Sequence, residues 1–149
     1  MTARHLLRQK RPALYSVGPA APLAEAARRL RLYEVGALLV LDGEALVGIV
    51  SERDIVRAVA DDGPTALARS VRSEMSAPVE TCGPDDEVRE LMARMTARRI
   101  RHLPVVEGSC VLGVVSIGDV VKSRVAEVQG EAAVLRDALR VRWASSLAA

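Results

Sequence analysis

The chain has no phenylalanine, one tryptophan (Trp143) and two tyrosines (Tyr15 and Tyr33) among 149 residues. Proteins that hold single-stranded nucleic acid stack bases on aromatic faces, so this composition speaks against that class. A strong charge of one sign is also missing. Lys and Arg number 21 against 19 Asp and Glu, a net of +2, which provides no field to gather nucleic acid or anionic lipid. No apolar run approaches the roughly 18–20 residues that span a bilayer as a helix. The basic segment Met1 to Arg11 has only Leu6-Leu7 at its centre, too little for a secretory signal. These absences predict a cytoplasmic protein with neither a membrane nor a nucleic-acid partner. Cysteine is scarce as well: Cys82 and Cys110 stand alone, and their spacing predicts small buried residues rather than a metal site or a disulfide.

What remains is aliphatic. Half of the residues are hydrophobic, so a core must be built from Val, Leu, Ile, Ala and Met, and the length suffices for one compact domain. The stretch Gly48-Ile49-Val50-Ser51-Glu52-Arg53-Asp54 returns as Gly113-Val114-Val115-Ser116-Ile117-Gly118-Asp119. The offset is 113 − 48 = 65. The same shift lays Gly18-Pro19 on Gly83-Pro84, Glu25 on Glu90, Arg29 on Arg94, Leu38 on Leu103, Val40 on Val105 and Gly43 on Gly108. Extended backwards, it would lay Ala3-Arg4 on Ala68-Arg69. One unit is used twice, and two copies suit a closed pair better than a solenoid.

Each unit reads β-α-β-β-α. In the first, Leu14 to Val17 is extended. A helix follows with Leu23, Ala26, Ala27 and Leu30 on one face, ended by Gly36. Ala37 to Leu41 and Ala45 to Val50 are strands joined at Asp42-Gly43-Glu44, a turn signal because Asp-Gly accepts positive φ. Ser51 then opens a helix with Ile55, Val56 and Val59 inward. In the second, Val79 to Cys82 is extended, a helix over 86–98 buries Val88, Leu91, Met92 and Met95, and Leu103 to Val106 and Cys110 to Val115 are strands. Ser116 starts the last helix. The fold class is therefore mixed α and β (α+β), with repeats at 5–62 and 77–124, a linker at 63–76 and a helical extension at 125–149. Along that extension Val121, Val125, Val128, Ala132, Leu135, Leu139 and then Arg142 or Trp143 recur at alternating steps of four and three, a heptad seam. It either packs on the protein's own body or frays at the end, or it pairs with a second subunit or partner.

Two copies of β-α-β-β-α, each with Gly-x-Val-Ser-x-x-Asp, together with Arg101-His102-Leu103-Pro104-Val105-Val106 before the second hairpin, resemble the cystathionine-β-synthase (CBS) domain pair. The resemblance covers roughly residues 5–125. It implies a disc with a cleft between the units, adenine-nucleotide binding in that cleft (AMP, ADP, ATP or NAD, with no cofactor required), a homodimer of discs, and regulation of a separate, unidentified protein rather than catalysis. Nothing in the sequence resembles a nucleophile elbow, a P-loop or a metal-ligand cluster.

The residues that carry the resemblance have their own chemistry. A carboxylate at Asp54 or Asp119 can accept hydrogen bonds from two adjacent ribose hydroxyls. Ser51 and Ser116 sit where a strand becomes a helix, so hydroxyl and backbone N–H face one opening. Arg101 and His102, just before a strand, are placed to meet a phosphate. Thr81, and with it Ser16, are weaker nucleotide contacts on the extended segments, and Pro104 completes the predicted set. Ser-x-x-Asp at a helix start is equally a capping box, which needs no ligand. The first unit has Gly36-Ala37 where the second has Arg101-His102. The two sites are therefore expected to differ, unless a long side chain reaches across.

Overall fold

A computed structural model describes residues 1–11 and 13–147; position 12 and the last two residues of the expected 125–149 extension lie outside the described residues. In chain order the elements are α1 (Ala3–Arg8), β1 (Ser16–Val17), α2 (Leu23–Tyr33), β2 (Ala37–Asp42), β3 (Ala45–Ser51) and α3 (Glu52–Asp62). A 3-10 segment (Gly63–Ala68) and α4 (Val71–Glu74) precede α5 (Val88–Arg98), β4 (His102–Glu107), β5 (Cys110–Ser116) and α6 (Ile117–Leu147). Two tandem β-α-β-β-α units with a long C-terminal helix are thus what the chain forms.

Each hairpin closes on two residues, with Asp42 opposite Ala45 and Glu107 opposite Cys110. Gly43 and Gly108 take φ of 63° and 61° there, the left-handed region that a glycine enters without a Cβ penalty. Alternation along β2, β3, β4 and β5 sends Leu38, Val40 and Val50 into one core, and Leu103, Val105 and Val115 into the other. The helices follow their apolar faces. Leu23, Ala26 and Leu30 of α2, and Val88, Leu91 and Met95 of α5, are buried, while Ala27 and Met92 are partly so.

The second unit keeps only a one-residue counterpart of β1. Leu39 donates its N–H to Tyr15 O at 3.0 Å, and Ser16 and Val17 pair with Leu39 and Val40. The residue 65 positions beyond Leu39 is Pro104, which has no N–H to give. Only the bridge between Cys82 and Val105 survives, so the expected strand over Val79 to Cys82 shrinks to one residue.

Two further expectations are corrected. Val56 is 66% exposed, and Asp54, Ile55 and Ala58 form the buried stripe of α3 instead. Cys110, at the hairpin tip, is exposed; only Cys82 is buried, and burial first, then Asp86, pushes its thiol up to about 11.

The leading helices cross over between the units. Ala3 N and Arg4 N donate to Asp86 O and Pro84 O, and Val71 N and Arg72 N donate to Ala21 O and Pro19 O. Thr2 bridges to Glu87 as Ser70 bridges to Pro22. The equivalent pairs are Ala3 with Val71 and Arg4 with Arg72, an offset of 71 − 3 = 68. The expected match of Ala3-Arg4 with Ala68-Arg69 is therefore wrong by three residues. Between the leading helix and the rest of each unit the spacing is not conserved, and gapless sliding cannot register that. Consequently α1 lies in the core of the second unit through Ala3 and Leu6, and Val71 of α4 lies in the core of the first.

The same pseudo-symmetry explains the glycine that opens each motif. A Cβ on Gly48 would overlap Met75 Sδ and lie 2.9 Å from its Cγ and 3.2 Å from its Cβ; a Cβ on Gly113 would lie 2.7 Å from Leu7 Cδ2. Met75 cannot retreat freely, because Ser76 N and O bond Ile49 O and N at 2.9 and 3.1 Å. Gly48→Ala is expected to destabilise by about 1–3 kcal/mol, the usual range for overpacking. An unchanged urea midpoint would show that this packing has slack.

Candidate functional site

A cleft of about 260 Å³ opens between the units, lined from the first by Gly36, Ser51, Asp54 and Arg57 and from the second by Pro78, Val79, Glu80, Arg99, Arg101 and His102, among others. Asp54 is its buried acid. Ser51 caps α3: its N–H and Oγ–H donate to Asp54 Oδ2 at 2.8 and 2.9 Å, and Asp54 N donates back to Ser51 Oγ at 3.4 Å. The capping box is therefore present. It occupies one carboxylate oxygen. Among the described residues, the other, Oδ1, has only Arg57 Nη1 at 3.9 Å. Capping and ligand contact are thus compatible in one side chain. The Ser51 hydroxyl, by contrast, is turned onto its own Asp54 rather than outward.

Arg101 and His102 enter this same cleft. They stand at the start of β4, in the second unit, and line the cleft together with Asp54 of the first motif. Side chains of the second unit thus reach the cleft of the first motif. Gly36 is what admits them: a Cβ there would lie 3.1 Å from His102 Nε2. With Arg53, Arg57 and Arg99 also lining the wall, the cleft sets arginines beside a buried carboxylate.

Asp119 repeats the local geometry. Ser116 N–H and Oγ–H donate to its Oδ2 at 2.7 and 2.8 Å. Here, however, Lys10 Nζ also pairs with Oδ2 and donates to Val114 O at 3.1 Å. Burial alone would raise the Asp119 carboxyl, but Lys10 and the two Ser116 donors outweigh it and hold it below the usual value. Three residues after Leu7, the chain offers Lys10; three after its counterpart Met75, it offers Pro78. A proline has no cation to reach Asp54, so the two motifs differ at this position.

Thr81 and Pro104 do not line the cleft. Thr81 O accepts from Arg94 Nη2, much as Ser16 O accepts from Arg29 Nη1 at 2.7 Å, and the buried Pro104 accepts from Cys82 N at 2.9 Å. Sequence reasoning missed Gly36, Arg57, Pro78, Val79 and Glu80. Arg57 was findable, because it lies three residues after Asp54 on one helical face. The others are brought in by the tertiary arrangement alone. Among the described residues no group of His, Cys, Asp and Glu could hold a metal ion, and no helix is long and apolar enough to cross a membrane.

His102 lines the cleft of Asp54 and also feels the charges of Lys10 and Asp119. Burial first, then Lys10, lowers its imidazole below the ordinary 6.5, against weaker opposing pulls from Glu52 and Asp119. A histidine with a lowered folded value binds its proton more readily in the unfolded chain. Stability should therefore fall as pH drops from about 6.5 towards the folded value. Asp119 adds a second loss in the same direction at lower pH: its contribution is complete above the unfolded value of 3.8 and disappears as pH falls through the lowered folded value. Thermal midpoints measured from pH 8 to pH 3 should decline in that order, and His102→Asn should flatten the first step. A midpoint that rises between pH 7 and 5 would contradict this.

Comparison with known proteins accords with this architecture. The CBS-domain family model matches residues 5–61 and 68–126. The mitochondrial CBS-domain-containing protein CBSX3 of Arabidopsis thaliana is 36% identical over 112 residues, which is 72% of this chain and 54% of that protein. The chain thus spans about half the length of that relative. A CBS-domain-containing protein of Agrobacterium tumefaciens superposes with a TM-score of 0.80 at 39% identity, covering 83% of this chain and 99% of that one. A CBS-domain protein of Pyrobaculum aerophilum, solved in complex with AMP, superposes with a TM-score of 0.70 at 32% identity, over 80% and 89% of the two chains. With both repeats matched by the family model and by whole solved chains, this protein belongs to the CBS-domain family as a tandem pair.

Proposed function

We propose that this protein is a regulatory module that binds an adenine nucleotide in the cleft of Asp54 and acts on a separate protein. The observation that carries the reading is the pairing of one uncapped carboxylate oxygen with arginines from both units. Asp54 Oδ1 would accept from the ribose hydroxyls, while Arg101, with Arg57 or Arg99, would meet the phosphates. His102, held neutral by burial, would offer a ring nitrogen without adding charge. The AMP complex of the Pyrobaculum aerophilum relative supports the ligand class. AMP, ADP, ATP and NAD share the adenosine 5′-phosphate that these groups address.

The experiment is thermal unfolding with each of the four nucleotides, for the wild type and Asp54→Asn. A ligand at a hundred times its Kd adds about 2.7 kcal/mol, or several degrees for a chain of this size. A rise in the wild type that is lost in Asp54→Asn supports the reading. No rise with any nucleotide would overturn it and leave Ser51 and Asp54 as a cap.

A further inference from the structure

The C-terminal helix supplies a surface that the cleft does not explain. α6 runs unbroken from Ile117 to Leu147, yet its buried residues end at Ser123. Beyond that point the seam is open: Val125 and Val128 are about half exposed, and Leu135 and Leu139 are 65% and 62% exposed. The expectation that the seam packs on the protein's own body is not met. We propose that its occupant is the same seam of a second copy, in a parallel, in-register two-stranded coiled coil. This inference stands apart from the nucleotide reading and does not depend on it.

The heptad assigns Val125, Ala132 and Leu139 to a positions and Val121, Val128 and Leu135 to d positions. Val125 at a and Leu135 at d follow the two-stranded pattern, while Leu139 at a and Val121 and Val128 at d depart from it, so the partner's orientation rests on the charges. Gly130 falls at f, facing away from the seam, where nothing packs against it. Orientation follows from the flanking charges. Glu131 is at g, and Lys122 and Arg136 are at e. A parallel pair sets g against the e position five residues on in the other copy, so Glu131 meets Arg136 twice, once on each side. A fully overlapped antiparallel pair sets g against g and e against e. Glu131 would then face Glu131 and Arg136 would face Lys122, both repulsive. The charges favour one orientation and oppose the other. Arg142 at the next d position ends the seam, and Asp119 in the first turn of the same helix ties the coil to the second motif.

The test uses the full chain in a Cys110→Ser background, so that the exposed native thiol cannot cross-link. Sedimentation equilibrium should give a dimer that becomes a monomer in Leu135→Asp. Glu131→Arg and Arg136→Glu should each weaken the dimer at least tenfold, and the double reversal should restore it. Leu135→Cys should form a disulfide-linked dimer on mild oxidation, because d meets d in a parallel coil. These substitutions lie on the exposed helix, and an unchanged thermal midpoint at low concentration will show that the body still folds. Several results would overturn the proposal: a monomeric wild type, a dimer indifferent to Leu135→Asp, or cross-linking of Leu135→Cys only to Val125→Cys in a mixture. So would binding of the helix to another protein alone.

Discussion

Leu6→Asp is expected to unfold the second repeat, although Leu6 lies more than seventy residues before that repeat's helix α5. Leu6 is 2% exposed and packs with Cys82, Val88, Leu91, Leu103 and Val115. Truncation to Ala alone should cost about 2–5 kcal/mol, as deletion of a buried leucine side chain does. A carboxylate there adds the desolvation of an unpaired charge, so Asp should be worse than Ala. Urea denaturation followed by circular dichroism measures the loss, and hydrogen exchange locates it. Amides of β4 and β5 should lose protection before those of β2 and β3. Val71→Asp should reverse that order, because Val71 is fully buried in the core of the first repeat. A loss below about 1 kcal/mol for Leu6→Ala would mean that α1 is dispensable to that core.

Lys10→Met is expected to convert a one-site binder into a two-site binder, on the reading that Asp54 and Asp119 offer the same contact. With Lys10 in place, Asp119 Oδ2 holds a cation besides its two Ser116 donors. An incoming ribose would have to compete with that pair and with the bond from Lys10 to Val114 O. The Lys10 and Asp119 side chains keep about a third and a fifth of their exposure, so the pair is screened, and its loss should change stability by no more than about 1 kcal/mol. The binding effect should be larger. Titration calorimetry with an adenine nucleotide should give a stoichiometry near one for the wild type and near two for Lys10→Met. A wild type that already binds two would show that Lys10 is displaced without difficulty. Asp119→Ala should leave the first site intact, whereas Asp54→Ala should remove it.

Sequence alone determined the local architecture. The aliphatic pattern, the Asp-Gly turn and the Ser-x-x-Asp starts are local signals, each read from residues within one or two turns of one another. They placed the hairpin strands, the main helices and the caps at Ser51 and Ser116, though not the extent of the strand before α5, and the offset of 65 made two equivalent units. The solvent face of α3 was misjudged, because Ile55 and Val56 are adjacent and only packing decides which turns inward. The loss of a strand before α5 was legible in principle, since Pro104 stands where Leu39 donates a hydrogen bond.

The tertiary structure alone decided which residues share a cleft. Arg101 and His102 belong by sequence to the second repeat, yet they complete the cleft of Asp54 in the first. The leading helices are exchanged as well, with an offset of 68 that differs from that of the rest. No periodicity reports that exchange, because it depends on which core a short helix fills most closely. The inequality of the two motifs has the same origin. Lys10 and Pro78 occupy corresponding places only after the cross-over is known, and the pair of a lysine with Asp119 forms across more than a hundred residues of chain. Local pattern fixes what each segment is; the energy of filling a core without voids fixes which segments meet.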